Sequence, residues 1–296
     1  MEQPIRILLQ TTIPERQDDW HIDRFSMLRA HLEGLRDPSG RRLTDVTARN
    51  RLPPGLSDPV LSDLPRQGFD QVWLFGVDEG DGLDGDDCAA ISAFRRAGGG
   101  LLVARDHMDL GSSFRGLEGI GAANHFHSHN PEADPARQRR DDLDTAEILW
   151  PNYHSGANGD YQVITIEGDP HPVMLDPTSP TGTIRYLPSH PHEGSVSAPP
   201  DDRTARVIAS GTSVVTGVRF NIAVAFEPED GSGRAVAQST FHHFTDLNWD
   251  PGCGCPSFVT EPAGRGMVDH LPAGQSVRRY VTNLTHWLSG RAPPKV

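Results

Sequence analysis

Histidines and carboxylates recur together in short segments of this sequence. The chain has 14 His in 296 residues. Neutral imidazole is the commonest metal ligand in proteins, and carboxylates often complete its coordination sphere. Mixed His and Asp/Glu sites suit zinc or iron(II), so the sequence indicates a divalent metal, zinc or iron, as the candidate cofactor. The segments are "RDHMD" (105–109), "HFHSH" (125–129), "NYHSGANGD" (152–160), "HPHEG" (190–194) and "FHHF" (241–244).

The strongest candidates stand at the ends of predicted strands or in short turns. The proposed metal ligands are His107, His192 and His242, and the proposed acid–base groups are Asp106, Glu193 and His243. Neighbouring side chains of a strand point to opposite faces. We therefore predict that His242 faces a cleft and that His243 supports it from behind, although local unwinding would reverse the two.

Each of these segments also has a structural explanation. "HFHSH" is compatible with a solvated loop, and "HHF" with one packed and one surface histidine. "HPHEG" is compatible with a turn in which Glu193 caps a neighbour, and "DHMDLG" with a helix N-cap formed by Asp106 or Asp109. A helix N-terminus at a strand end would also favour an anionic ligand, so the last alternative does not exclude a site.

The loop "PNYHSGANGDYQ" (151–162) is the candidate substrate-binding segment. Its glycines permit a close backbone approach, and its polar side chains offer donors and acceptors for hydroxyls or amides. An ordinary turn with Asn158-Gly159 at its tip explains the loop equally well. The predicted substrate-binding residues are Tyr153, His154, Asn158, Asp160 and Trp249, the aromatic ones as faces on which a sugar or another ring could stack.

Strands alternating with helices must position these residues. "IRILLQTT" (5–12), "DQVWLFGV" (70–77) and "LLVARDH" (101–107) are predicted strands, and 21–35 and 85–97 are predicted helices, the second with Asp84 as its N-cap. This order predicts an α/β fold with a doubly wound parallel sheet, which binds ligands beyond the carboxyl ends of its strands.

The rest of the chain differs in regularity. Residues 108–202 are rich in Gly, Pro, Asn, His and Asp and show little periodicity apart from "YQVITI" (161–166). Long irregular segments in compact domains are usually functional. We therefore predict a single domain over 1–296 in which 108–202 is a loop-rich insertion covering the active site. Strands at 206–214, 220–227 and 234–241 and an amphipathic helix at 276–290 follow.

Composition excludes several classes of partner. The formal net charge is −13, which opposes binding to nucleic acid or to an anionic membrane. No apolar stretch approaches the roughly 18–20 residues that span a bilayer, and the N-terminus lacks a signal-peptide pattern. Three cysteines do not form a disulfide framework. We expect a cytoplasmic protein with a small-molecule substrate, and a homo-oligomer is compatible with the sequence.

Four segments resemble the trehalose-utilisation (ThuA-like) branch of the class I glutamine amidotransferase-like superfamily. They are "GGGLLVARDHMDLG", "PSHPHEG", "GRAVAQSTFHHF" and "YVTNLTHWLSG", and the similarity covers 70–107 and 185–290 best. The resemblance implies a flavodoxin-like sheet between helices, and it implies that His107 and His242 or His243 converge on one cleft.

The resemblance does not imply amidotransferase activity. Those enzymes carry a nucleophilic Cys on the turn after the strand corresponding to "LLVARD", where this chain has Asp106, His107 and Met108. We therefore predict that Cys88, Cys253 and Cys255 are dispensable for catalysis.

Two functions remain open. One is a metal-assisted hydrolase or related enzyme, such as a lyase, acting on a small polar molecule, of which a carbohydrate-like one is an example. The other is a non-catalytic ligand-binding or interaction protein on the same fold.

Overall fold

The structure is a computed structural model that describes residues 3–15, 18–141, 147–257, 259 and 262–291. The strands are β1 (Ile5–Pro14), β2 (Thr44–Arg51), β3 (Gln71–Phe75), β4 (Gly100–Ala104), β5 (Asn124–His125), β6 (Tyr161–Val163), β7 (Thr165–Ile166), β8 (Tyr186–Pro188), β9 (Ser195–Val196), β10 (Ala205–Thr212), β11 (Arg219–Phe226) and β12 (Ala235–Gln238). The α-helices are α1 (Ser26–Gly34), α2 (Leu64–Gln67), α3 (Gly85–Arg96), α4 (Asp246–Trp249), α5 (Gly266–Asp269) and α6 (Leu271–Leu288). Short 3₁₀ helices span Ile22–Phe25, Ser112–Gly116, Ile120–Ala123, Pro135–Arg137, Pro172–Met174, Phe241–Phe244 and Pro251–Cys253. Within the described ranges, no helix combines the length and the apolar character needed to cross a membrane.

The central sheet has the strand order β2-β1-β3-β4-β12-β11-β10-β7. The first five strands are parallel to one another, in the order typical of flavodoxin-like folds. The last three are joined antiparallel. The predicted α/β flavodoxin-like class is therefore confirmed, with an antiparallel extension on one side. Strand β2, which lies in the polar stretch after α1 and forms the sheet edge, was not predicted.

Two apolar layers cover the sheet, which explains the continuous apolar runs of β3 and β4. Every residue of these two strands is buried, as expected for parallel strands covered on both faces. On one face Trp73 packs in a core with Tyr280 of α6. On the other face Val72 and Leu74 pack with Phe94 of α3.

Helix α3 begins and ends as its sequence predicts. The backbone N–H of Asp87 donates to Asp84 Oδ1 at 2.8 Å, and the N–H of Asp84 donates to Asp87 Oδ2 at 3.3 Å, which completes a capping box. Gly98, at φ 98°, follows the helix in the left-handed region that glycine tolerates best. The prediction of a helix over 85–97 is confirmed to within one residue.

The segment 108–202 contains short elements between irregular loops. β5 pairs with β9 and β6 with β8, each pair forming a separate two-stranded sheet, while β7 joins the edge of the central sheet. The periodic segment 161–166 forms two strands, because a break at Ile164 sends β6 and β7 to different sheets. The role of the segment as an active-site cover stays a prediction.

The carboxyl ends of β4 and β12 meet at one edge of the sheet. Ala104 and Gln238 are partners in the register of these neighbouring parallel strands. The chain leaves β4 through Asp106 and His107 and leaves β12 into the 3₁₀ helix Phe241–Phe244. The topology thus brings two histidine-bearing segments, far apart in sequence, to the same edge.

Candidate metal centre

A buried carboxylate stands at the centre of the histidine cluster. Asp106 is fully buried, and its Oδ1 accepts a hydrogen bond from Thr240 Oγ1 at 2.6 Å. Its Oδ2 lies 2.7 Å from His107 Nδ1, 3.6 Å from His190 Nε2 and 3.7 Å from His242 Nε2. The ends of β4 and β12 and the loop after β8 therefore each contribute to one cluster.

The two adjacent histidines diverge because the chain has left the strand. His242 and His243 lie in a 3₁₀ helix whose N-cap is Thr240, and Thr240 Oγ1 accepts from the His242 N–H at 3.1 Å. The predicted divergence is present, but strand alternation is the wrong reason for it. Thr240 also holds Asp106, so one hydroxyl fixes both the turn and the carboxylate.

An asparagine fixes which nitrogen of His242 carries the proton. Asn248 Nδ2 donates to the Ser189 carbonyl at 2.8 Å, which identifies the other amide atom as the oxygen. That oxygen lies 2.8 Å from His242 Nδ1, so Nδ1 must be the donor. In neutral His242 the Nε2 that faces Asp106 is therefore an unprotonated lone pair.

A second asparagine, Asn158, determines which nitrogen of His190 carries the proton. Asn248 Nδ2 donates to Asn158 Oδ1 at 3.0 Å, and this oxygen lies 3.1 Å from His190 Nδ1. Nδ1 of His190 is therefore a donor as well, and its Nε2 is left as a lone pair. Neither His190 Nε2 nor His242 Nε2 has a hydrogen-bond partner, although both atoms are buried.

Burial and mutual contact keep both rings neutral. The imidazoles of His190 and His242 are stacked with centroids 3.3 Å apart and planes 14° apart, so two charged rings would repel strongly. Burial lowers the pKa of His190 to about 4 and lowers that of His242 well below its usual value. Burial opposes ionisation of Asp106, but the hydrogen bond from His107 favours the carboxylate, and the pKa of Asp106 lies well below its usual range.

Three acceptors thus face one another with no proton between them. A tetrahedral zinc ion with bonds of about 2.0–2.2 Å separates its ligand atoms by about 3.3–3.6 Å. The distances of 3.6 and 3.7 Å from Asp106 Oδ2 to the two Nε2 atoms are close to that spacing. The contacts of Asn248 with His242 Nδ1 and of Asn158 with His190 Nδ1 also match the way in which metal-bound histidines are usually oriented. The spacing of Asp106, His190 and His242 therefore makes them a candidate set of ligands for a divalent ion.

Two further histidines border this triad. The rings of His107 and His192 are 5.4 Å apart, and those of His190 and His192 are 5.3 Å apart. Potential ligand atoms of His107, His190 and His192 all lie within 4.8 Å of one another, as do those of Asp106, His190 and His242. His107 is the half-buried member of the five, so solvent approaches the cluster from its side.

Glu193 and His243 form a separate buried network. Tyr280 OH donates to Gln238 Oε1, and Gln238 Nε2 then donates to His243 Nδ1, each at 2.7 Å. His243 Nε2 lies 3.6 Å from Glu193 Oε2 and 3.3 Å from Gln162 Nε2. The structure thus brings the predicted acid–base pair together, but its hydrogen bonds lead away from Asp106. Glu193 also accepts hydrogen bonds from Ser155, Gln162 and Ser239.

The two aromatic residues predicted to bind substrate are buried in packing contacts. Tyr153 is buried, and its ring stacks on Phe220 with centroids 4.8 Å apart. Trp249 is also buried, with its indole N–H donating to the His243 carbonyl at 2.8 Å and the Arg278 guanidinium 5.4 Å from its ring. Packing therefore occupies the faces that the sequence analysis assigned to a sugar.

The polar members of the predicted substrate loop have different positions. Asn158 holds His190, as described above, and Asp160 Oδ1 accepts from the Gly266 N–H at 2.8 Å. His154 remains half-buried. The sequence analysis missed His190, Asn248 and Thr240 as members of the site. Only His190 had a signal, because it stands two residues before the predicted ligand His192.

The cysteines lie outside the cluster. Cys88 is buried in α3, where burial raises the pKa of its thiol to about 11. Cys253 is exposed, and Cys255 is partly exposed. No thiol stands on the turn after β4, which carries Asp106, His107 and Met108.

No protein-family model matches the sequence, and no curated protein matches it. Among solved structures, a ThuA-like protein from Parabacteroides merdae is 13% identical, with a TM-score of 0.52 over 99% of this chain and 93% of that one. This chain has a ThuA-like fold. The mmIFT52 N-terminal domain is 11% identical, with a TM-score of 0.50 over 98% of this chain and 99% of that domain. The glutaminase domain of Trypanosoma brucei CTPS, with bound acivicin, is 15% identical with a TM-score of 0.45, over 98% of each chain. At these identities the likeness shows the fold alone.

Proposed function

We propose that this protein is a metal-assisted hydrolase acting on a small polar molecule, with a divalent ion held by Asp106, His190 and His242. One observation carries the proposal: Asp106 Oδ2 lies 3.6 and 3.7 Å from two buried imidazole nitrogens that offer lone pairs, and neither nitrogen has a hydrogen-bond partner. Such an arrangement is electrostatically unfavourable unless a cation occupies it. Zinc and iron(II) both suit a donor set of two imidazoles and one carboxylate.

His107 is the proposed proton carrier. Its Nδ1 lies 2.7 Å from Asp106 Oδ2, so the ring donates there and its Nε2 is free to act as a base. His107 stands on the side of the cluster that solvent approaches. A divalent ion held by these residues would lower the pKa of a water molecule at the site. His107 Nε2 is placed to take up a proton on the side that solvent approaches. His192 is the proposed additional ligand on the same side.

Metal content tests this proposal. The protein is purified without a His tag, and zinc and iron are measured by inductively coupled plasma mass spectrometry. We expect about one ion per chain in the wild type and less than a tenth of that in His190→Gln. His31→Gln, which changes a half-buried histidine of α1 outside the cluster, serves as the matched control and keeps its metal. A folded wild type that binds neither metal contradicts the proposal.

Turnover is tested separately. Chelator-treated protein is assayed on a panel of acetylated sugars, lactones and small amides before and after zinc or iron(II) is restored. We expect hydrolysis that returns with the metal and that His107→Gln lowers by about 10²-fold, within the usual range for a general base. Metal binding with no metal-dependent turnover on any member of the panel contradicts the hydrolase assignment.

A closed structural metal site is the second candidate, because Asp106, His190 and His242 are each 1% exposed or less. Structural sites are closed by protein ligands, whereas catalytic sites keep an open position. The visible spectrum of the cobalt(II)-substituted protein distinguishes the two. A change on addition of azide indicates an open position and supports the enzyme, whereas an unchanged spectrum supports the structural role.

A further inference from the structure

A second pair of side chains, outside the metal cluster, has the geometry of a nucleophile and its base. His125 lies in β5, and Ser197 directly follows β9, the strand that pairs with β5 in a two-stranded sheet. The Ser197 Oγ to His125 Nε2 distance is 2.5 Å. Activated serines in enzymes hydrogen-bond to an imidazole in this way, with a third group orienting the ring.

A backbone carbonyl fixes the direction of this hydrogen bond. His125 Nδ1 lies 2.7 Å from the Asn130 carbonyl oxygen, which can only accept. Nδ1 therefore carries the ring proton, and Nε2 of the neutral ring must accept from the Ser197 hydroxyl. Burial lowers the pKa of His125, with the Asn130 bond opposing it, so the ring is neutral near pH 7 and can take up a proton.

Nearby charges suit the transfer of that proton. Glu132 Oε2 lies 3.8 Å from His125 Nε2 and 4.0 Å from Arg137 NH1. The carboxylate stabilises an imidazolium as it forms, and the guanidinium is a candidate donor to a developing oxyanion. These groups occupy the side of His125 on which the serine hydroxyl stands.

The pair is open to a ligand. His125, Ser197, Glu132 and Arg137 line a cavity of about 1100 Å³. Ser197 and Arg137 also line a neighbouring cavity of about 360 Å³. The Ser197 hydroxyl therefore lies on a wall that the two cavities share. The acyl part of a substrate could occupy one cavity and its leaving group the other.

We propose that Ser197 and His125 form a catalytic dyad that hydrolyses small carboxylic esters without a metal. The Ser197 oxygen bonds to the acyl carbon, and its proton moves to His125 Nε2. The alkoxide leaves as the carbon–oxygen ester bond breaks, and it takes that proton. Water then attacks the acyl-serine, the acid is released, and a proton returns through His125 to Ser197. The net reaction consumes ester and water and yields acid and alcohol.

A fluorophosphonate probe on the full-length protein tests the dyad, since it phosphonylates only activated serines and loses fluoride. We expect one adduct by intact mass, located on Ser197 by peptide mapping and unchanged by EDTA. Ser197→Ala abolishes the adduct, and His125→Gln slows its formation at least about 10²-fold. Ser128→Ala, which removes an exposed hydroxyl beside His127 and His129, is the matched control and labels like the wild type.

Hydrolysis of p-nitrophenyl acetate supplies the second measurement. We expect a burst of p-nitrophenol that survives EDTA, with an acetyl group on Ser197 by mass spectrometry. Folded wild-type protein that forms no adduct on Ser197 with either reagent overturns the dyad, and so does labelling of Ser197 that His125→Gln leaves unchanged. EDTA separates the two proposals, because it removes the metal-dependent activity and spares the dyad.

Discussion

Replacing Asn248 by Ala removes the group that sets the tautomers of both inner histidines. Its amide makes four hydrogen bonds: it accepts from His242 Nδ1 and Thr245 Oγ1, and it donates to Asn158 Oδ1 and the Ser189 carbonyl, over 2.8–3.0 Å. Without it, either nitrogen of His242 is free to carry the proton. Loss of a group that hydrogen-bonds to a metal-binding histidine typically lowers metal affinity by about 10–100-fold, which corresponds to about 1.4–2.7 kcal/mol.

The assay is a competition titration against a chromophoric chelator at pH 7.5, with zinc and the metal-free protein. We expect the zinc affinity of Asn248→Ala to fall by 10–100-fold. Asn283→Ala is the matched control, because Asn283 is a buried asparagine of α6 that donates to two backbone carbonyls away from the cluster. Its stability should fall while its zinc affinity stays unchanged. A folded Asn248→Ala protein with wild-type zinc affinity would refute the tautomer argument.

Three further predictions concern stability and reactivity. Burial lowers the pKa of His31 to about 4, so below about pH 6.5 the unfolded chain binds more protons than the folded one. The free energy of unfolding should therefore fall as the pH drops from 6.5 to 4. Urea titrations should show a smaller fall in His31→Gln. A Cβ on Gly233 would lie 1.9 Å from the Gly99 carbonyl oxygen, so Gly233→Ala should lower the free energy of unfolding by about 1–3 kcal/mol in the same titrations. Gly34 has open space around it, and Gly34→Ala should not destabilise the protein. Equal effects of the two substitutions would contradict the packing argument. Iodoacetamide at pH 8 should modify exposed Cys253 and spare Cys88, whose thiol has a pKa of about 11; rapid modification of Cys88 in the folded protein, seen by peptide mapping, would contradict its burial.

Much of the parallel sheet could be predicted because its signals are local. β3 and β4 are continuous apolar runs, and α3 carries its own capping box between Asp84 and Asp87. β2 was missed because an edge strand has one partner and a polar exposed face. The antiparallel direction of β10 and β11 was also not predictable, since strand direction depends on connections that periodicity does not encode.

The residues of the site that follow strands could be predicted, whereas those in irregular loops could not. Asp106, His107 and His242 follow strands, and parallel strands deliver their carboxyl ends to one edge of a sheet. His190 comes from an irregular loop whose path no local pattern determines. Asn248 acts through a hydrogen bond to His242, a residue six positions earlier, and an asparagine in a polar segment carries no sign of that role.

Anomalous diffraction from crystals grown with zinc tests the central claim most directly. Data collected above and below the zinc absorption edge locate the ion independently of the protein atoms. We expect one peak about 2.0–2.2 Å from Asp106 Oδ2, His190 Nε2 and His242 Nε2. Full-length protein in zinc-containing crystals that shows no peak between these three atoms would contradict the account.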